Sequence, residues 1–226
     1  MAFAFVKSAK GTSATTVTTP AFGSATTSGN LIVLAYTSDA YNAAPDTGWT
    51  QSTGMSQHTN CGGYIWWKLS TGETTEPSYS IGSATNSSWV LAEFSGNDAT
   101  TPYDISNGQN QISSVSSYTT PSIIPTTGSR LLVAMIGGSR STALTGATPY
   151  TSWLNSLTRI DDIFSTGTGT NDVVGIAYRA VTGDGVTGFS SGATTGGPTL
   201  MEAEVGLIIA FKASAAADVL MAQACL

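Results

Sequence analysis

The stretch Asn30-Leu31-Ile32-Val33-Leu34-Ala35-Tyr36 decides the fold, because a second version of it occurs later in the chain. That version reads Arg130-Leu131-Leu132-Val133-Ala134-Met135-Ile136, at an offset of 100 residues. A segment ending in Thr-Thr-Pro precedes both runs, at residues 17–20 and again at residues 118–121. Continuous apolar runs of this length are typical of β-strands covered on both faces. The two runs therefore predict equivalent buried strands in two halves of the chain.

Two further elements repeat in the same order. Ile65-Trp66-Trp67-Lys68 returns as Ile176-Ala177-Tyr178-Arg179, and Trp89-Val90-Leu91-Ala92-Glu93-Phe94 returns as Gly206-Leu207-Ile208-Ile209-Ala210-Phe211. The offset grows from 100 to 111 and then to 117, as expected if the second half carries two loop insertions. Internal repetition of this kind decides the architecture before any other feature.

The repeat predicts an all-β protein, an antiparallel β-sandwich in which residues 1–212 form one domain. Its two similar halves span about residues 12–98 and 113–212, and each is too small to bury its apolar face well alone. The polar stretch 100–117 is interpreted as the connection between them. Residues 213–226 form an Ala-rich tail of good helix formers, which we expect to pack on its own domain or on a neighbouring subunit.

Composition excludes several classes of function. The net charge is −6, only 10% of residues are charged, and the eight Lys and Arg residues form no cluster. Binding to a nucleic-acid backbone requires clustered cations, so we expect no DNA or RNA partner. The N-terminus reads as a strand without signal-peptide features, and no apolar run approaches the ~18 residues of a membrane span. We therefore expect a chain made in the cytoplasm, with no membrane partner.

Candidate catalytic and metal-binding residues are few. His58 is the only histidine and is interpreted as a residue of a polar surface loop, which leaves neither a catalytic triad nor a zinc site. Glu202 and Glu204 would share one face of a strand, but they do not form the pattern of a sandwich-fold glucanase. Calcium could use the Asp residues at 161, 162, 172 and 184, which ordinary polar loops also contain. The prediction is a protein that is not an enzyme and has no cofactor or bound metal.

Aromatic residues offer the best case for ligand binding. Residues 63–69 alternate, so that Ile65 and Trp67 share one face of a strand while Tyr64 and Trp66 point to the other. Tyr64 and Trp66, together with Tyr150 and Trp153 in a polar loop, are candidates for stacking on a sugar. Aromatic residues are equally enriched in subunit interfaces, so both interpretations remain open.

One set of motifs resembles a known group of proteins. Pro45-Asp46-Thr47-Gly48-Trp49-Thr50 is followed by Tyr64-Ile65-Trp66-Trp67-Lys68 with Gly72-Glu73. Then comes Glu93-Phe94-Ser95-Gly96-Asn97-Asp98 with Pro102-Tyr103-Asp104. This order, over residues 12–212, is similar to a family of phage-encoded β-sandwich proteins.

The resemblance implies a jelly-roll or lectin-like sandwich of the kind found in capsid decoration (cement) proteins and in head and tail fibres of bacteriophages. It transfers no catalytic residues. The prediction is a virion structural protein, most specifically a cement protein that binds the major capsid protein and forms a homotrimer. The alternative is a carbohydrate-binding module of a phage head or tail fibre. The residues expected at protein contacts are Phe3, Phe5, Trp66, Val219, Leu220 and Leu226.

Overall fold

A computed structural model describes residues 2–13, 17–18, 21–38, 48–52, 57–58, 61–73, 79–80, 86–111, 116–140, 150–165, 171–195 and 203–215. The described residues are almost entirely antiparallel β-structure, which confirms the predicted fold class. Most of the C-terminal tail, including Val219, Leu220 and Leu226, lies outside the described residues.

Sixteen strands are formed by the described part of the chain. In order they are β1 (Ala4–Ser13), β2 (Val17–Thr18), β3 (Leu31–Ser38), β4 (Thr50–Gln51), β5 (Gln57–His58), β6 (Cys61–Leu69), β7 (Tyr79–Ser80), β8 (Ser87–Ser95), β9 (Tyr103–Gln111), β10 (Ser117–Thr119), β11 (Gly128–Arg140), β12 (Tyr150–Trp153), β13 (Thr158–Phe164), β14 (Asn171–Gly183), β15 (Gly192–Thr195) and β16 (Ala203–Lys212).

Two large sheets have the same strand order. The first sheet runs β1-β8-β3-β6-β4, with β5 also paired to β6, and the second runs β9-β16-β11-β14-β13. The repeated apolar runs are therefore the central strands β3 and β11, each lying between its two repeated neighbours. Their side chains are buried along almost the whole strand, as the continuous apolar pattern predicts.

The pairing registers of the two sheets are equivalent residue by residue. Leu31 on β3 lies opposite Leu69 on β6 and Phe94 on β8. Leu131 on β11 lies opposite Ala180 on β14 and Phe211 on β16. These partners are related by the sequence offsets of 111 and 117, so the repeat found in the sequence is a repeat of the fold.

The repeat also includes the outermost strands β1 and β9. In β1 the register shifts between Phe5 and Lys7, which lie opposite Phe94 and Glu93. In β9 the equivalent shift leaves Tyr103 opposite Phe211 and Ile105 opposite Ala210. A β-bulge at the same place in both sheets bends each outer strand in the same way. The stretch 100–117, interpreted from its polar sequence as a connection, thus contains a strand of the second sheet.

The main core lies between the two sheets. Both sheets contribute to one buried apolar cluster, for example through Val33 and Ile65 from the first and Val133 and Ile176 from the second. Strand β8 packs against β14, and β6 packs against β16, which are repeat-equivalent contacts. Burial of each large aliphatic side chain contributes roughly 1.5–3 kcal/mol, so this shared core holds the two halves together.

A third layer covers the outer face of the second sheet. It is the small sheet β10-β15-β12, whose Tyr118, Ala193 and Tyr150 pack on Ile136 and Val173 of β11 and β14. In the first half, the short strands β2 and β7 pair with each other. Strand β2 lies between β1 and β3 in the sequence and β7 lies between β6 and β8, which are the places that β10 and β15 occupy in the second half.

Candidate functional site

The aromatic face of β6 is buried, which corrects the predicted exposure of Tyr64 and Trp66. Both residues lie on the predicted face, opposite Ile65, but Trp66 has no exposed surface. Its ring lies 5.2 Å from that of Tyr36 and 5.8 Å from that of Tyr64. The same cluster includes Trp49 and, at its margin, Phe22. Trp66 therefore contributes to the interior of a single chain and presents no surface to a sugar or a second subunit.

The predicted glycan residues of the second half are also largely covered. Tyr150 is fully buried and packs against the second sheet, so its prediction as an exposed ring is wrong. Trp153 is half-buried, 6.2 Å from the Tyr150 ring. Three of the four predicted rings thus have no accessible face on which a sugar could stack.

The N-terminal strand is partly available for contacts. Phe3 is half-buried against the main core, whereas Phe5 is 37% exposed and Val6, at the bulge, is more exposed still. The Phe5 ring lies 5.9 Å from Phe94 and 5.8 Å from Tyr178 of the second sheet, so it spans the edge of the sandwich.

Glu204 is buried beneath the small outer sheet. It has no exposed surface, and neither of its carboxylate oxygens has a hydrogen-bond partner within the described residues. Burial raises the pKa of Glu204 to about 8, so the side chain is mostly protonated at neutral pH. The hydroxyl groups of Tyr118 and Tyr150 are buried nearby, and burial followed by the Glu204 charge raises the pKa of both phenols. The enclosed position of Glu204 separates it from any substrate in solution, and Glu202 lies outside the described residues.

Glu93 forms the second buried carboxylate site. It lies on β8, between β1 and β3 of the first sheet, with no exposed surface. Its Oε1 accepts hydrogen bonds from Asn30 Nδ2 at 2.7 Å and from the Thr27 backbone N–H at 2.8 Å. Its Oε2 lies 3.5 Å from the Lys7 Nζ. This arrangement brings an amine and a carboxamide to the two oxygens of one buried carboxylate.

Other carboxylates form internal ion pairs. Asp104 pairs with Arg130 at 2.8 Å, and Glu73 pairs with Lys68. Burial opposes ionisation of Glu73, but hydrogen bonds from Lys68 and Ser70 hold its pKa well below the usual range. These acids stabilise turns and strand ends of the fold.

Three of the Asp residues that were considered as calcium ligands have other partners. Asp161 pairs with Lys10 at 2.7 Å, and Asp162 pairs with Arg159. Asp184 accepts hydrogen bonds from Thr187 and from the Val186 backbone N–H, which lower its pKa to about 2. Among the described residues, no three His, Cys, Asp or Glu side chains are grouped as metal ligands. His58, interpreted as a loop residue, lies in the short strand β5.

One surface combines exposed apolar side chains with an arginine, and we call it the Arg179 surface. The loops that border it carry exposed apolar side chains, which are Val186 at 78% exposure, Ile124 at 47% and Leu154 at 40%. Two adjoining depressions of about 420 and 350 Å³ share Arg179 and Phe189 in their walls. The Arg179 Nη1 donates to the Asn155 carbonyl oxygen at 3.0 Å, and no described carboxylate pairs with the guanidinium.

Backbone contacts fix the shape of the Arg179 surface. Ile123 and Phe189 exchange both backbone hydrogen bonds, and Gly185 N donates to the Pro125 carbonyl. Asn155 Nδ2 binds the Ser190 carbonyl oxygen at 2.8 Å, which joins the turn after β12 to the same segment. Sequence analysis missed this surface because its residues come from three separated loops. The turn residues of 183–188 were the available signal, and they indicate a loop without indicating its neighbours.

Comparison with protein-family models, curated proteins and solved structures finds no match to this chain. None of the described helical residues form a segment long and apolar enough to cross a membrane. The site geometry therefore carries the functional argument.

Proposed function

We propose that the chain is a virion structural protein, most specifically a capsid decoration protein that stabilises a phage head through protein–protein contacts. The proposal is supported by the turn and strand motifs that resemble phage-encoded sandwiches. It is also supported by the complete burial of Glu93 and Glu204, which removes these two carboxylates from the surface and favours a role in protein contacts.

The Arg179 surface is the observation that carries the proposal. Isolated exposed apolar residues are ordinary, but several of them on hydrogen-bonded loops that also form a depression indicate a contact site. Arginine and aromatic residues dominate the binding energy of protein interfaces, and Arg179 and Phe189 share the walls of both depressions here.

Charge complementarity indicates the kind of partner. Five cations pair with acids of the same chain, whereas the Arg179 guanidinium has only the Asn155 carbonyl oxygen as a partner within the described part of the chain. We propose that the major capsid protein places a carboxylate on Arg179 and an apolar side chain against Val186. In the same proposal the chain assembles as a homotrimer, since cement proteins commonly occupy local three-fold positions.

The test is add-back of purified protein to particles that lack it. Wild-type protein is expected to bind saturably, and Arg179→Glu is expected to weaken binding by tenfold or more, because it places like charges together. Val6→Asp changes the exposed residue at the bulge of β1, serves as the matched comparison, and is expected to bind normally. Normal binding by Arg179→Glu would contradict the assignment of this surface, and a loss confined to Val6→Asp would move the contact to β1.

Sedimentation analysis of the isolated protein tests the proposed trimer separately. A trimer at micromolar concentration supports the proposed assembly, whereas a monomer at all accessible concentrations contradicts a preformed trimer. Failure of wild-type protein to bind particles at all would remove the decoration role.

A further inference from the structure

Three polar side chains meet across three neighbouring strands of the first sheet. Lys7 lies on β1, Glu93 on β8, and Asn30 immediately before β3, and the strand order in the sheet is β1-β8-β3. Glu93 is the central member, and its register partner on β1 is Lys7. The three residues are far apart in sequence, so only the fold brings them together.

The carboxylate of Glu93 contacts both of its neighbours. Asn30 Nδ2 lies 2.7 Å from Oε1, and Lys7 Nζ lies 3.5 Å from Oε2. Glu93 is completely buried, and the Lys7 amine lies 5.0 Å from the centre of the Phe22 ring. A general base must reach the nucleophile and a general acid must reach the leaving group. Glu93 Oε1 accepts a hydrogen bond from the leaving nitrogen, and Lys7 Nζ lies within ion-pair distance of Oε2, which has no hydrogen-bond partner among the described residues.

The repeat shows that the fold does not need this trio. The positions equivalent to Lys7 and Glu93 are Ile105 and Ala210, which are directly paired on β9 and β16. The position equivalent to Asn30 is Arg130, which binds Asp104 instead. The second sheet thus adopts the same register and the same bulge without a lysine, a glutamate or an asparagine at these places.

We propose that Lys7 and Asn30 become joined by an isopeptide bond, with Glu93 as the catalytic acid and base. Glu93 accepts a proton from the Lys7 ammonium, and the amine nitrogen forms a bond to Asn30 Cγ. Glu93 then returns the proton to Nδ2 as the Cγ–Nδ2 bond breaks. The remaining extra proton on Nζ leaves with the ammonia as ammonium. The product is an amide between Nζ and Cγ, the Glu93 carboxylate is regenerated, and no oxidant, reductant or co-reactant is consumed.

One rearrangement precedes the reaction. The Lys7 ammonium also donates to the backbone oxygens of Ser24, at 3.0 Å, and Ala25, at 2.5 Å, and to Ser24 Oγ at 3.0 Å. The amine must leave these acceptors and move along the Glu93 carboxylate towards Asn30. The resulting bond would tie the outer strand β1 covalently to the start of β3, which restricts the unfolded chain as a disulfide does.

Intact-mass spectrometry of the denatured full-length protein tests the proposal. The wild-type protein is expected to be lighter than its sequence by one ammonia molecule. Tandem spectrometry of a digest is expected to show a peptide that contains residues 7 and 30 joined together. A wild-type mass equal to that of the sequence, after prolonged incubation of the folded protein, would overturn the proposal.

Variants separate this reaction from other losses of ammonia. Lys7→Arg and Glu93→Gln are expected to have the full mass of their sequences, whereas Lys10→Arg, on the same strand, should keep the mass deficit of one ammonia.

Asn107 precedes Gly108 on an exposed part of β9, and cyclisation there would also release ammonia. Asn107→Ala should therefore keep the deficit, and a deficit that disappears with Asn107→Ala or persists in Lys7→Arg would contradict the Lys7–Asn30 bond. The wild-type mass and linked peptide decide the question even if Glu93→Gln fails to fold.

Discussion

The outer faces of the two sheets are covered in opposite ways, with large side chains on the strands of the first sheet and small ones on the strands of the second. In the first sheet, large rings project from the strands themselves, at Tyr36, Tyr64 and Trp66. The repeat-equivalent positions of the second sheet are Ile136, Gly175 and Ala177, which leave much more space. One backbone arrangement can therefore carry either large or small side chains on its outer face, provided that another layer compensates.

The compensation in the second half comes from the small outer sheet. A Cβ atom at Gly175 would lie 2.6 Å from Tyr150 Cδ2, and one at Gly206 would lie 2.5 Å from Tyr118 Cε1. The absence of a side chain at each glycine thus leaves space for a tyrosine ring of the small outer sheet, Tyr150 at Gly175 and Tyr118 at Gly206. The first half places its aromatic rings on the sheet, and the second half places them on the cover.

The largest expected effect comes from removing a ring that belongs to the sheet. Trp66→Ala is expected to destabilise the protein by about 3–5 kcal/mol, because it opens a cavity among Tyr36, Tyr64 and Trp49. Denaturant unfolding at equilibrium measures this loss. The comparison variant is Trp153→Ala, whose half-buried ring should cost less. Equal costs for the two variants would contradict the distinction between the two outer faces.

The next effect concerns Glu204 and the pH dependence of stability. Its pKa of about 8 in the folded chain lies above the ordinary value of 4.5, so folding favours the protonated form. The contribution of protonated Glu204 to the free energy of unfolding is fully present below about pH 4.5 and is lost as the pH rises to about 8. One pKa unit corresponds to about 1.4 kcal/mol, so a loss of a few kcal/mol is expected across this interval. Tyr118 and Tyr150 stay neutral there because their pKa values are raised.

Unfolding free energies measured from pH 4.5 to 8 test this expectation. Glu204→Gln should flatten the dependence and gain most at pH 8. Asp184→Asn is the control, because the pKa of Asp184 is lowered to about 2 and its contribution is lost only in acid. An unchanged slope in Glu204→Gln would show that Glu204 is not the group responsible.

A smaller effect tests the fit of a covering ring on a glycine. Gly206→Ala is expected to cost about 1–3 kcal/mol, because its new methyl group overlaps the Tyr118 ring. The same substitution in a Tyr118→Ala background should cost much less, which a double-mutant cycle measures as coupling. Additive costs would mean that the ring and the glycine do not depend on each other.

The smallest expected changes in stability come from substituting Lys68 and Arg179, which occupy equivalent positions in the two halves. Lys68 is buried, pairs with Glu73 and lies 5.1 Å from the centre of the Trp49 ring, whereas its repeat partner Arg179 is exposed. Lys68→Met is expected to cost about 1–2 kcal/mol, less than a fully buried pair because Glu73 retains other donors. Arg179→Met should stay within about 0.5 kcal/mol of wild type. A large loss of stability in Arg179→Met would argue that Arg179 serves the fold.

The repeat made most of the fold predictable. Three repeated segments predicted two similar halves and the burial of β3 and β11, because strands covered on both faces have continuous apolar sequences. The strand order and the pairing register came only from the structure. Strand β9 was not predictable in the same way, since its sequence is polar and only its pairing with β16 makes it part of the sheet.

The site was less predictable for a related reason. Alternation along β6 correctly separated Ile65 from Trp66, but alternation says which face a residue occupies and nothing about what covers that face. Phe22 and Trp49, which pack in the same cluster as Trp66, come from other parts of the chain. The Arg179 surface and the Lys7–Glu93–Asn30 trio likewise depend on contacts between distant segments, which no local pattern records.

Quantitative mass spectrometry of virus particles purified from the source that encodes this chain tests the central claim most directly. A capsid decoration protein should be present at the copy number of the major shell protein or at a simple fraction of it. Absence from the particles would contradict a virion role, and a few copies per particle would contradict decoration of the shell and indicate a fibre.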